Sequence, residues 1–150
     1  MSEWRVAFAG EAPEHPLEWR VVSDNGDIKD RGAGSLDAFA RTRGDKTALV
    51  LPGMQVNCLN VALAARNERQ ARAAAPFAIE DDVAGDLENI HVALLAPSAE
   101  PQPGMRTRFA TDTDIVAGWT GAFEALGGKL TRRLPDYMCL PSGDGDVSVA

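Results

Sequence analysis

"TALVLP" fills residues 47–52, and its reading decides the fold. A strand with one face in water alternates apolar and polar residues. This run is almost continuously apolar, so it reads as a central strand covered on both faces. Working back from it, Ser35 is placed to cap a short helix reaching Arg43, with Leu36, Phe39 and Ala40 on the inner face. Earlier still, Trp4, Val6 and Phe8 alternate with Arg5 and Ala7, and Leu17, Trp19 and Val21 alternate again. Between these strands, residues 10–16 form a polar, proline-bearing turn. "SDNGD" at 23–27 contains Asn-Gly, whose two residues both tolerate positive φ, and so signals a hairpin. "DIKDRG" then reads as a polar edge strand. Three strands in a meander, a helix and a buried strand form the opening order of ribonuclease H-like and actin-like sheets, which other α/β folds share.

Working forward from Gly53, "QVNCLNVAL" reads as a strand. Asn67 caps a helix, with Gln70 in capping-box position. Pro76 has no amide hydrogen, so the helix is expected to kink there or restart with Pro76 in its first turn. Gly85 is a helix stop, and "NIHVALL" and "MRTRFAT" are strands on either side of the proline-rich 97–104 loop. A last helix starts near Asp112 or Thr113. It carries Ile115, Trp119, Ala122 and Leu126 on one stripe, widened by Val116 and Phe123, and ends at Gly127-Gly128. "KLTRRLP" is a final strand. The tail "SGDGDVSVA" has turn chemistry and then the start of a strand, so the chain reads as a fragment.

The 150 residues are 45% hydrophobic, enough for one ordinary core or two small subdomains. Fifteen Lys and Arg stand against 22 Asp and Glu, a net charge of −7. A phosphate-backbone binder carries a basic face, so nucleic acid is not expected as a partner. No apolar run reaches the roughly 18–20 residues that span a bilayer, so no direct membrane insertion is expected. No secretory signal layout opens the chain, and it reads as cytosolic. Cys58 and Cys139 form no CxxC pair and are expected to be reduced, buried core thiols.

The sequence offers little catalytic chemistry. His15 sits in a polar turn, and His91 reads as a packed or edge strand residue. GxSxG, HExxH, CxxC and HxH patterns are all missing. "RGAGSLDAF" lacks the third glycine of a dinucleotide loop and puts Asp37 where pyrophosphate would sit. "SGDGD" lacks the later ligands of a calcium loop and reads as a turn. No catalytic residue, metal or cofactor is expected. The acids Glu80, Asp81, Asp82, Asp86 and Glu88 read first as a solvated face and second as a partner-binding face. Arg66, Arg69 and Arg72 recur at three-residue spacing upstream, on one helical face. The segment is thus basic, then apolar at its elbow, then acidic, a segregation suited to docking. Its candidate partner contacts are Arg66, Arg69, Arg72, Asp81, Asp82, Asp86 and Glu88.

The stretch "LPGMQVNCLNVALAARNERQARAAAPFAIEDDVAGDLENIHVAL" (51–94) resembles the cytoplasmic domain of the general secretion pathway protein L family of bacterial type II secretion. The shared features are "LPG" at 51–53, "RNERQ" at 66–70, "APFAIED" at 75–81 and "HVA" at 91–93. "LPDYMCLP" at 134–141 is similar to a later family motif, so the likeness covers roughly residues 47–141. It implies an α/β, actin-like mixed sheet with flanking helices and a smaller inserted α+β subdomain. On that basis residues 1–52 begin the actin-like subdomain, 53–111 form the insertion and 112–150 return to the core. The resemblance also implies a non-enzymatic scaffold in the cytoplasmic part of an inner-membrane protein, the given chain being the N-terminal piece of that region. Its implied partners are the N-terminal domain of the secretion ATPase (the E protein), the platform M protein and other copies of itself, the last two mostly through other parts of the full-length protein. Nucleotide-binding relatives of this superfamily carry Asp-x-Gly-Thr/Ser in the first hairpin. Here "FAGEAPEHPLEW" (8–19) keeps Gly10 but adds Glu11, Glu14 and two prolines, so nucleotide binding is not expected. The competing readings are an actin-superfamily ATPase and a pilus-assembly platform protein.

Overall fold

The computed structural model describes residues 2–79, 86–97 and 104–139. Strands β1 (Glu3–Phe8), β2 (Leu17–Ser23) and β3 (Ile28–Gly34) lead into helix α1 (Leu36–Ala40) and strand β4 (Lys46–Leu51). There follow β5 (Asn57–Val61), helix α2 (Glu68–Ala74), β6 (Ile90–Leu94), β7 (Arg106–Asp112), helix α3 (Thr113–Ala125) and β8 (Arg132–Pro135). The chain divides into two compact units, Met1–Gly53 with Ala117–Ala150, and Met54–Val116.

The first unit is a mixed sheet in the order β3-β2-β1-β4-β8. β1 pairs antiparallel with β2, and β2 with β3, while β1–β4 and β4–β8 are parallel. The edge position of β3 matches its polar sequence. Thr47 to Leu51 are consecutively buried, as expected for a strand covered on both faces. On one face of β2, Leu17, Trp19 and Val21 are buried. Phe39 of α1 lies against Trp19 with ring centroids 5.8 Å apart and meets Phe123 of α3 edge-on at 5.6 Å. These rings form the core. A Cβ on Gly32 would lie 2.4 Å from the Trp19 ring, so only glycine lets the indole pack flat on β3. Trp4 and Phe8 stand on the opposite parity of β1. Lys46 and Arg132 both lie over Trp4 (5.2 and 5.3 Å to the ring centre), and Arg20 lies over Phe8 at 5.9 Å.

Several local expectations need correction. In the hairpin between β2 and β3 only Gly26 has positive φ (88°), so Asn25 does not. The Gly26 amide donates to the Ser23 carbonyl (2.9 Å) and the Ser23 amide to the Asp27 carbonyl (3.0 Å). The turn is the longer kind that ends in a left-handed glycine. Ser35 caps α1 as expected, its hydroxyl accepting from the Ala38 amide at 3.2 Å, but the helix stops at Ala40 rather than Arg43. Arg5 supplies the reason. Its guanidinium donates to the carbonyls of Ala40 (3.3 Å) and Thr42 (2.9 Å) and to the Thr47 hydroxyl (2.7 Å), tying the helix end to the sheet. In α3 the buried pair is Trp119 and Phe123, while Leu126 lies beyond the helix end and is 41% exposed.

The second unit is an antiparallel sheet in the order β5-β7-β6, with helix α2. The expected strand "QVNCLNVAL" is trimmed at both ends: Gln55 closes a 3-10 turn, Gly53–Gln55, and β5 runs only from Asn57 to Val61. Cys58 is exposed, contrary to the buried thiol expected. Strand alternation places it on the same open parity as Asn60, while Leu59 and Val61 turn inward. Cys139 closes a 3-10 turn, Asp136–Cys139, and is also exposed. His91 sits exposed on the edge strand β6, opposite Thr111. Gly85 and the tail "SGDGDVSVA" lie outside the described residues.

Candidate partner-binding site

The second unit carries the segment singled out by charge. Asn67 caps α2, its side-chain oxygen accepting from the Gln70 amide at 2.9 Å. Gln70 reaches back and accepts from the amide of Arg66 at 2.9 Å, a capping box displaced by one residue. Ala71 and Ala75 are buried, which fixes the inner face of the helix. The helix neither kinks nor runs on at Pro76. It ends at Ala74, and a separate 3-10 turn, Phe77–Ile79, follows the proline.

Glu68, in the first turn of α2, binds Arg106 of β7 in a two-pronged ion pair, with N–O distances of 2.9 and 3.1 Å. Arg106 also donates to the Leu95 carbonyl at 2.8 Å, so one side chain clamps helix to sheet. The Arg106 hydrogen bonds hold the Glu68 carboxyl below the usual glutamate range. Desolvation opposes them, and the charges of Arg106 and Arg72 add to the lowering. The sequence reading missed this pair. Arg106, Thr107 and Arg108 look like solvated strand positions, yet Arg108 is fully buried. The signal that was available is Glu68 itself, an acid in the first helical turn of an arginine-rich helix.

Of the seven candidate contacts, Arg66, Arg69, Arg72, Asp86 and Glu88 are all exposed, but Arg66 precedes the N-cap Asn67 and so does not share the helical face expected for the three arginines. Arg72 reaches Glu68 at 3.4 Å, one turn back along the helix. Asp86 precedes the 3-10 turn Leu87–Asn89 without capping it through its side chain, and Glu88 lies within that turn. Among the described residues no ion pair joins Asp86 or Glu88 to the three arginines. Asp81 and Asp82, like Glu80, lie outside the described residues. The structure adds a residue that the charge pattern did not mark, because Phe77 is 71% exposed. Beside α2 lies a cavity of about 230 Å³, its polar side formed by Arg66, Asn67 and Arg106 and its apolar side by Leu63, Ala71 and Met105.

The first hairpin of the other unit is poorly supplied with backbone donors. The Ala9 amide is committed to the Val50 carbonyl (2.8 Å) and the His15 amide to the Ala12 carbonyl (3.1 Å), while Pro13 and Pro16 have no amide hydrogen. Glu11 and Glu14 are exposed in the same turn. Such a donor set is ill suited to a polyphosphate.

Comparison with known proteins bears on most of the chain. A family described as "Type II secretion system (T2SS), protein L" matches residues 9–150. A type II secretion system protein L of Dickeya chrysanthemi is 25% identical over 133 residues, covering 85% of this chain and 32% of the relative. Its Pseudomonas aeruginosa counterpart is 33% identical over 97 residues, covering 65% of this chain and 24% of the relative. The chain therefore spans about a third or less of these relatives. Among solved structures, the cytoplasmic domain of EpsL, an inner-membrane component of the type II secretion system of Vibrio cholerae, superposes with a TM-score of 0.75 at 19% identity. That match covers 95% of this chain and 61% of the other. A PilM–PilN type IV pilus biogenesis complex gives 0.60 at 17% identity, over 85% of this chain and 45% of the matched one. A Bacteroides thetaiotaomicron protein with an actin-like ATPase fold gives 0.52 at 9% identity, over 89% of this chain and 51% of that one. The architecture is thus shared with actin-like folds.

Proposed function

The chain belongs to the type II secretion system protein L family, and on that premise we propose that it acts as a non-enzymatic scaffold. It contributes to the cytoplasmic region of an inner-membrane platform protein, and it docks the N-terminal domain of the secretion ATPase, the E protein. The family match over residues 9–150 carries the reading. The charge-segregated segment from Arg66 to Glu88, whose described charges Arg66, Arg69, Arg72, Asp86 and Glu88 are exposed, is the docking surface within this chain. Contacts to the M protein and to further copies fall on other parts of the full-length protein. The two units correspond to the opening and return of an actin-like subdomain and to an inserted α+β subdomain.

The donor-poor first hairpin and its two glutamates argue for a protein that grips another macromolecule and turns over no nucleotide. The likeness to the PilM–PilN complex concerns the fold, and the family match favours secretion over pilus assembly. The test is a pull-down of the ATPase N-terminal domain on the intact chain, with a Mg-ATP thermal-shift control. The reading predicts capture of the domain and an unchanged melting curve. ATP binding at a hundredfold over its dissociation constant would instead stabilise the protein by about 2.7 kcal/mol.

A further inference from the structure

We propose, resting on the docking reading, that the partner meets the arginine half of the segment and not its acidic half. The occupant is an acidic segment of the ATPase domain with one apolar side.

Three observations point there. Arg66 and Arg69 are exposed and have no ion-pair partner among the described residues, in a chain that carries 22 acids. Exposed cations with no such partner are complementary to carboxylates on another protein. Phe77, close downstream, exposes 71% of its surface, and a large exposed aromatic ring is the kind of anchor that dominates interface energetics. Arg66 also borders the cavity whose apolar side is Leu63, Ala71 and Met105, with room for a single incoming side chain. Together these form a knob, a hole and two cations on one unit.

The surface is also fixed in advance. Glu68 is clamped to Arg106, Asn67 and Gln70 close the helix start, and Ala71 and Ala75 seat its inner face. Little ordering is left for binding to impose on the helix backbone, so contacts there translate more fully into affinity. In the bound state an apolar partner side chain enters the cavity. Its flanking carboxylates meet Arg66 and Arg69, and the partner's apolar surface covers Phe77.

The test is titration of the intact chain with the ATPase N-terminal domain at low and high salt. Reversing both cations (Arg66→Glu with Arg69→Glu) is expected to weaken binding at least tenfold and to remove most of its salt dependence, while Phe77→Ala weakens it about tenfold. Reversing Asp86 and Glu88 to lysine leaves the affinity within about twofold, as expected outside an interface. All three sites are exposed, so circular dichroism should be unchanged. If the acid reversals weaken binding while the arginine reversals do not, the inference is overturned and docking stands. If the wild-type chain does not bind at all, both are overturned. If the arginines are dispensable for the ATPase but needed for binding to phosphatidylglycerol vesicles, the surface is a membrane contact and the inference also fails.

Discussion

Glu68 illustrates how a single residue links charge to fold. Its carboxyl is held low by Arg106, so its folded-state pKa lies below the unfolded one. The sign of the linkage follows: the pair's contribution is fully present above the ordinary glutamate value and is lost as pH falls through the folded-state value. Urea unfolding of the wild type and of Glu68→Gln should therefore differ by a constant amount at neutral pH and converge in acid. A gap that persists unchanged to the lowest pH would mean the pair is not the source. Cys139 behaves in the opposite sense. Partial burial pushes its thiol up, and the Asp136 carboxylate adds to this, so it stays protonated to higher pH than an ordinary thiol. In a Cys58→Ser background, alkylation of Cys139 should rise only on the alkaline side of a typical cysteine profile. Neither residue's behaviour was legible in the sequence, because folding brings Arg106 to Glu68 and sets the burial that acts first on Cys139.

At the scale of elements, two short motifs turn out to be one structural joint. "LPG" ends β4 and "LPDY" ends β8, and these parallel strands pair Leu51 with Pro135. A Cβ on Gly53 would lie 2.4 Å from an Asp136 carboxylate oxygen and 2.7 Å from the Tyr137 ring. Gly53→Ala should thus force the two strand ends apart at a cost of about 1–3 kcal/mol, read from chemical denaturation. A neutral substitution would show that the joint is loose. Phe123→Ala should cost more, about 3–5 kcal/mol, because it empties the place where α3 meets Phe39. The strands of the larger sheet were legible because alternation and the unbroken run at 47–51 are local signals. The length of α1 was not, because its end is tied by Arg5 of β1, more than thirty residues earlier in the chain. Likewise, the exposure of Cys58 depends on which parity of β5 turns inward, and composition does not encode that choice.

For the whole molecule, the order of strands and helices led to the actin-like sheet, and the family likeness led to its setting. The charged segment was visible as a pattern. The Glu68–Arg106 clamp at the start of α2, the cavity beside it and the exposed Phe77 were visible only in three dimensions. On the proposed docking, the clamped start of α2 is a ready-made surface for the secretion ATPase. The most direct test is isothermal titration of the intact chain with the secretion ATPase N-terminal domain. A saturable exotherm or endotherm that disappears when Arg66 and Arg69 are reversed to glutamate is the predicted result. A flat trace with the wild-type chain at concentrations far above the micromolar range would contradict it.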